Sequence, residues 1–248
     1  MLDYNLAQKQ YQPVTSFQAK SLDIQYDVGF RTPFFGLARS NVEVLQALYE
    51  QFPPRYGIQS SDLQAVGGSV MSQLRATLTL FRGNGIIEVS SDKLHVKFSN
   101  ATGKDDVAII QDCIIHALTA LSRFISESQF GPELIVVQAF LGIAGGTTER
   151  DKFLDRFHMP YVDGLAKSTN LIISPAIKFD IQNEAEKWNV NVELSRAWID
   201  PEAIFLAVNG NFSTGASAQT LPRRADIIQG VMKQALEAVG LQSELSNI

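Results

Sequence analysis

The stretch LDIQYDVGF, Leu22 to Phe30, decides how the rest of the chain is read. Leu22, Ile24, Tyr26, Val28 and Phe30 alternate with Asp23, Gln25, Asp27 and Gly29. A period of two is the pattern of a strand with one face in a core and the other wet. The alternation extends the strand back to Phe17 and predicts an antiparallel sheet with a solvated side. Working outward, Arg31, Thr32 and Pro33 break the strand. Ser40 then stands as N-cap of a helix carrying Val42, Leu45, Leu48 and Tyr49, closed by Pro53 and Pro54.

Gly57 to Ser72 reads as loop with at most one turn of helix. Leu74, Ala76, Leu78 and Leu80 alternate with polar residues, and Gly83-Asn84-Gly85 turns the chain into Ile86 to Ser90. A second turn at Ser91 and Asp92 opens Lys93 to Phe98, with Leu94, Val96 and Phe98 on one face and Lys93, His95 and Lys97 on the other. Asp105 and Asp106 favour a helix start, and Val107, Ile110, Ile114, Leu118, Leu121 and Ile125 recur at helical spacing.

Beyond Gly131 and Pro132 the nearly continuous apolar run Leu134 to Ile143 reads as a central strand covered on both faces. Gly142 to Thr148 leads into a short helix, Glu149 to Phe157, and a loop past Pro160 and Gly164. Three strands follow, Asn170 to Gln182 with Pro175 marking an edge or bulge, Trp188 to Trp198, and Ala203 to Phe212. Pro222 opens a last amphipathic helix with Ile228, Val231, Ala235 and Leu236, and Gly240 stops it.

These elements make an α+β protein, mostly antiparallel sheet with two long amphipathic helices. Residues 132–240 repeat the pattern of residues 16–128, β-α-β-β-β-α twice, without residue identities to match. Such halves either join into one continuous sheet or stack as two around the helices.

Composition narrows the function classes. With 21 basic and 26 acidic side chains in 248 residues the net charge is -5, which supplies no field for a phosphate backbone or an anionic lipid surface, so nucleic-acid and membrane partners are not expected. The longest apolar run is about half of the ~20 residues that a spanning helix needs. Cys113 is the single cysteine, and Met1 to Gln10 lacks the basic and apolar regions of an export signal, so a reducing, cytoplasmic setting is expected.

No specific cofactor or metal signature is present. Gly142, Gly145, Gly146, Thr147 and Thr148 sit between a strand and a helix, where backbone amides suit a phosphate or carboxylate, or where a threonine simply caps a tight turn. Cys113 and His116 are three apart on the long helix, a spacing that admits thiol and imidazole on one side or plain core packing. His158 lies at a helix end, and Gly67-Gly68-Ser69-Val70-Met71 lacks the second glycine of a nucleophile elbow. Phe81, Trp188, Trp198 and Phe205 are read on the outward sides of strands, as interface candidates or as cover for a second layer.

The helix from Val42-Glu43-Val44-Leu45 to Phe52-Pro53, the hairpin Gly85-Ile86-Ile87-Glu88-Val89-Ser90-Ser91-Asp92-Lys93-Leu94-His95-Val96, and the long helix and strand after it share an order. In that layout the chain resembles a sporadically distributed, uncharacterised bacterial family often found in mobile or defence-associated neighbourhoods. It departs from the family at Gln138-Ala139-Phe140-Leu141-Gly142, where members carry an aromatic strand with Arg, Tyr and Asn. The resemblance implies no active-site residues. The expected function is a non-catalytic protein-interaction or assembly subunit, self-associating and in a defence or phage-related setting. The alternative is a small-molecule binder or enzyme with a cavity between a curved sheet and a long helix, using His116, Arg75 and Glu193.

Overall fold

Alternation of apolar and polar residues builds the first strand, β1, over Thr15–Phe30, where Ile24, Tyr26 and Val28 are buried and the odd-numbered residues between them are not. In the computed structural model, which describes residues 15–68, 70–157 and 176–243, β1 lies at the middle of a ten-stranded sheet. The other strands are β2 (Leu63–Val66), β3 (Arg75–Leu80), β4 (Gly85–Val89), β5 (Lys93–Ala101), β6 (Phe130–Ile143), β7 (Ala176–Asn183), β8 (Trp188–Arg196), β9 (Ala203–Phe212) and β10 (Leu241–Ser243). The helices are α1 (Gly36–Gln51), α2 (Lys104–Leu121), α3 (Gly146–Asp155) and α4 (Leu221–Ala238).

The sheet runs β2-β3-β4-β5-β1-β6-β9-β8-β7, every neighbour antiparallel, and only β10 is parallel, laid along the first residues of β1. Outward from the seam between β1 and β6, one side meets β5, β4 and β3 and the other meets β9, β8 and β7. The two open alternatives resolve here: the halves share one continuous sheet.

Direct cross-strand partners lie on the same side of a sheet, so register assigns each side chain to a face. Tyr26 opposes Val96 and Ile135; Val96 opposes Ile87, which opposes Leu78; and Ile135 leads through Gly210 and Val190 to Ile181. This row joins the buried residues of all four helices in one hydrophobic core, with Leu48, Leu118, Phe153 and Ile228 among them. Each fully buried Leu or Ile contributes roughly 1.5–3 kcal/mol. Gly210 admits α4 to the sheet, since a Cβ there would collide with Ile228 Cδ1.

Several local expectations change. Helix α1 begins at Gly36, but Ser40 has extended backbone (φ -161°, ψ 96°) and its Oγ accepts from Glu43 N at 3.1 Å, so it does cap the straight part that follows. The segment read as loop contains the edge strand β2, and β10 follows the last helix. The long helix α2 ends at Leu121, four residues before Ile125. Residues 170–175, Pro175, His158 and Ser69 lie outside the described residues. The largest correction concerns β6: among the described residues all four helices cover one face of the sheet, and the second face of this apolar strand has none.

Candidate functional site

The helix-free face is built from the alternate residues of every strand. Along β6 it presents Leu134, Val136, Gln138 and Phe140. Across the ladder these oppose Asn211, Asn209, Ala207 and Phe205 of β9 on one side, and Asp27, Gln25, Asp23 and Ser21 of β1 on the other. Phe140 and Phe205 touch, with ring centroids 5.6 Å apart and planes at 55°. The result is a set of half-buried apolar residues at the sheet centre, Leu134 and Val136 on one side of the exposed Gln138 and Phe140, Phe205 and Ala207 around it, bordered by amides and carboxylates. An apolar centre within a polar border is the anatomy of a protein interface.

Several charges on this face are paired locally, Lys97 being an exception. Asp27 Oδ1 lies 2.7 Å from His95 Nδ1 and 3.3 Å from Lys93 Nζ, while Gln25 Nε2 donates to Oδ2. Burial alone would raise the Asp27 carboxyl, but the hydrogen bonds from His95 and Gln25 and the charges of His95 and Lys93 outweigh it and hold it at about 2. Arg75 reaches Glu88 at 3.2 Å and Lys178 reaches Glu193 at 3.0 Å. Asn191 Nδ2 donates to Asn189 Oδ1 at 2.6 Å, and Asn189 in turn donates to Asp180. The face therefore has no single sign. His95 is oriented by Asp27, as a general base would be, yet no hydroxyl or thiol among the described residues hydrogen-bonds it.

The sequence candidates scatter. Arg75 and Glu193 stand on the helix-free face whereas His116 is on α2 across the sheet, so these three do not line one cavity. His116 packs against Phe52 at 5.3 Å and Tyr56 at 6.4 Å between ring centroids. Cys113 is fully buried, and burial pushes its thiol up to about 12, which leaves no thiolate for nucleophilic work. No group of three His, Cys, Asp or Glu suited to a metal ion occurs among the described residues.

Gly145 and Gly146 take left-handed φ values of 92° and 69°, giving the turn that opens α3, with Thr147 and Thr148 exposed in its first turn. Glu149 folds over Gly145, and Glu202 Oε1 stands 3.9 Å from where a Cβ of Gly146 would be. Two carboxylates thus occupy the amide end of the helix, where an incoming anion would meet like charge. Gly142 has another use, since the stem of Lys20 lies across it and Lys20 Nζ binds Asp200 Oδ2 at 2.6 Å.

The aromatic candidates divide as well. Trp188 faces the core side and its Nε1 donates to Glu186 Oε2 at 3.1 Å, which corrects its outward placement. Phe81 sits on the β3–β4 turn against Tyr56 and Phe98. Phe205 is on the helix-free face. Trp198 lies beyond the end of β8, in the loop to β9, where it is 69% exposed beside Ile199 at 87%.

Two features escaped the sequence reading. Glu133 is buried between β1 and α4, accepting from Tyr26 Oη at 3.0 Å and from Arg224 Nε at 3.1 Å, while Arg224 also donates to Thr214 and stacks on Phe212 at 4.7 Å. The other is a cleft of ≈ 440 Å³ at the start of α1, walled by Phe34, Phe35 and Phe124 with Arg39 and Glu43 at its lip. Neither follows from residue spacing, because each joins residues about 90 or more apart in the chain. No family model matches the chain, and no curated protein matches it.

Proposed function

We propose that this chain is a non-catalytic binding subunit whose helix-free sheet face docks a protein partner. One observation carries the reading: the half-buried set of Leu134, Val136, Phe140, Phe205 and Ala207 sits at the centre of a sheet face that no helix covers among the described residues. The mixed signs around it, several of them in local ion pairs, suit a partner recognised by shape and apolar area rather than by a strong field. The layout resemblance adds a defence-associated or phage-related setting to the proposal.

The test places a photo-cross-linkable residue at position 136 and, as control, at Lys233 on the exposed side of α4, in the full chain made in its native host. Cross-linking of one defined protein from position 136 alone supports the reading. Equal labelling from both positions, or none from 136, removes it, as does turnover by the purified chain that is lost with one side chain at unchanged Tm.

A further inference from the structure

Strand β7 closes one end of the sheet, and among the described residues only β8 pairs with it. Its outer side is a row of main-chain N–H and C=O groups held in extended form, a template for another strand. Folded proteins usually spoil such a row with a bulge, a proline, a very short strand or an uncompensated lysine. The opposite edge, β2, follows that rule with four residues. β7 does not. Its eight residues, AIKFDIQN, contain neither Pro nor Gly and hold unbroken register with β8 from Ala176↔Ser195 to Asn183↔Trp188.

Both faces of the strand are unfinished at this edge. On the core side Ile177, Phe179 and Ile181 pack against the hydrophobic core yet stay only half-buried. On the helix-free side the Asp180 carboxylate accepts from the amide of Asn189, a neutral donor, and has no cation among the described residues. Lys178, two residues before it, reaches Glu193 at 3.0 Å but is 70% exposed, and an ammonium has three donors to give. A lysine that alternates with an aspartate no longer repels a copy of its own strand, as an edge lysine by itself would.

A closed pair of like edges, antiparallel as along the rest of this sheet, has its two-fold axis normal to the sheet. One residue of β7 then faces its own counterpart, and centres at Phe179 and Asp180 overlap the most residues. Centring on Asp180 sets that carboxylate against itself. Centring on Phe179 sets Lys178 against Asp180 on both sides of the axis, Ile177 against Ile181, and the two Phe179 rings against each other. We infer that a second copy of this chain pairs with β7 in that register, joining two ten-stranded sheets into one with α1 to α4 of both copies on the same side. Each Asp180 receives the cation it lacks, and the half-buried apolar row gains its other flank. The pairing does not depend on what docks on the helix-free face.

Sedimentation velocity from about 5 to 500 μM, a range suited to an interface of modest area, reads an equilibrium that stops at the dimer. Lys178→Asp and, separately, Asp180→Lys set like charges opposite each other and weaken the dimer about tenfold, with the melting curve as control. Combining the two in one chain exchanges the charges across the axis and restores the dimer. Mixing the two single variants yields a one-to-one heterodimer. Hydrogen exchange locates the contact: the peptide spanning β7 exchanges more slowly as concentration rises, and that spanning β2 does not. A chain monomeric at every concentration overturns the inference, and β7 protection already present at the lowest would then mean an edge covered from within the chain. Dimers indifferent to both charge reversals, a double variant that stays monomeric, or β7 exchange that ignores concentration overturns it as well. The cross-link at position 136 reads the middle of the sheet face, so either proposal can fail while the other stands.

Discussion

Asp27 shows how one residue position carries both sheet stability and a charge in the middle of the helix-free face. Its neighbours lower the carboxyl to about 2, below the ordinary aspartate range, so the folded state prefers the ionised form. The stability this supplies is fully present above the unfolded pKa near 3.9 and is lost as pH falls through about 2. Asp27→Asn keeps the shape and removes the charge. Urea titrations from pH 6 downward should show the variant less stable than the parent at pH 6, with the gap closing between pH 4 and 2. A gap constant over that range would mean that His95, Lys93 and Gln25 do not act on this charge. The facing of Asp27 was legible in the LDIQYDVGF alternation; its partners were not, because His95 is brought in by a strand 68 residues away.

At the scale of elements, the Tyr26–Glu133–Arg224 cluster fastens α4 to the two central strands. Burial pushes Glu133 up, against the lowering pull of the Tyr26 hydroxyl and the Arg224 guanidinium, so its ionised form depends on those partners. Removing the cation alone leaves a buried acid without a counter-ion. Arg224→Met should therefore cost about 3–5 kcal/mol, a fall in Tm of roughly 10 °C for a chain of this size. Replacing both ends, Glu133→Met with Arg224→Met, should return most of that loss, because an apolar pair of similar volume needs no desolvated charge. Calorimetry on the two variants checks the sign of the difference. The helix itself was legible from Ile228, Val231, Ala235 and Leu236, whose spacing alone marks the buried side. The partner of Arg224 was not legible, since sequence spacing does not reveal a carboxylate on a distant strand. The edge strands β2 and β10, four and three residues long, are too short to display a period at all.

For the whole molecule the informative misreading is that of β6. A run of consecutive apolar residues ordinarily means a strand buried on both sides, and among the described residues helices cover one side only. The surplus apolarity of Leu134, Val136 and Phe140 is the residue of that expectation, and it is what motivates a partner on the sheet face. Trp198 was misplaced for a related reason: alternation through Val190, Val192 and Leu194 was carried past Arg196, although Asp200 and Pro201 mark a loop. The mirrored strand order about the β1–β6 seam raises the question whether either half folds alone. Severing them would leave a row of unpaired amides and carbonyls along β6 and would strip Glu133 of Tyr26. The piece from Phe130 to Ile248 expressed by itself should therefore show no cooperative thermal transition, whereas the intact chain should unfold in one step by circular dichroism and by tryptophan fluorescence alike. Both tryptophans, Trp188 and Trp198, lie in the second half, so fluorescence reports on that half while circular dichroism reports on the whole sheet. Coincident curves require the seam to couple the halves; separated midpoints would make them two folding units joined at an edge.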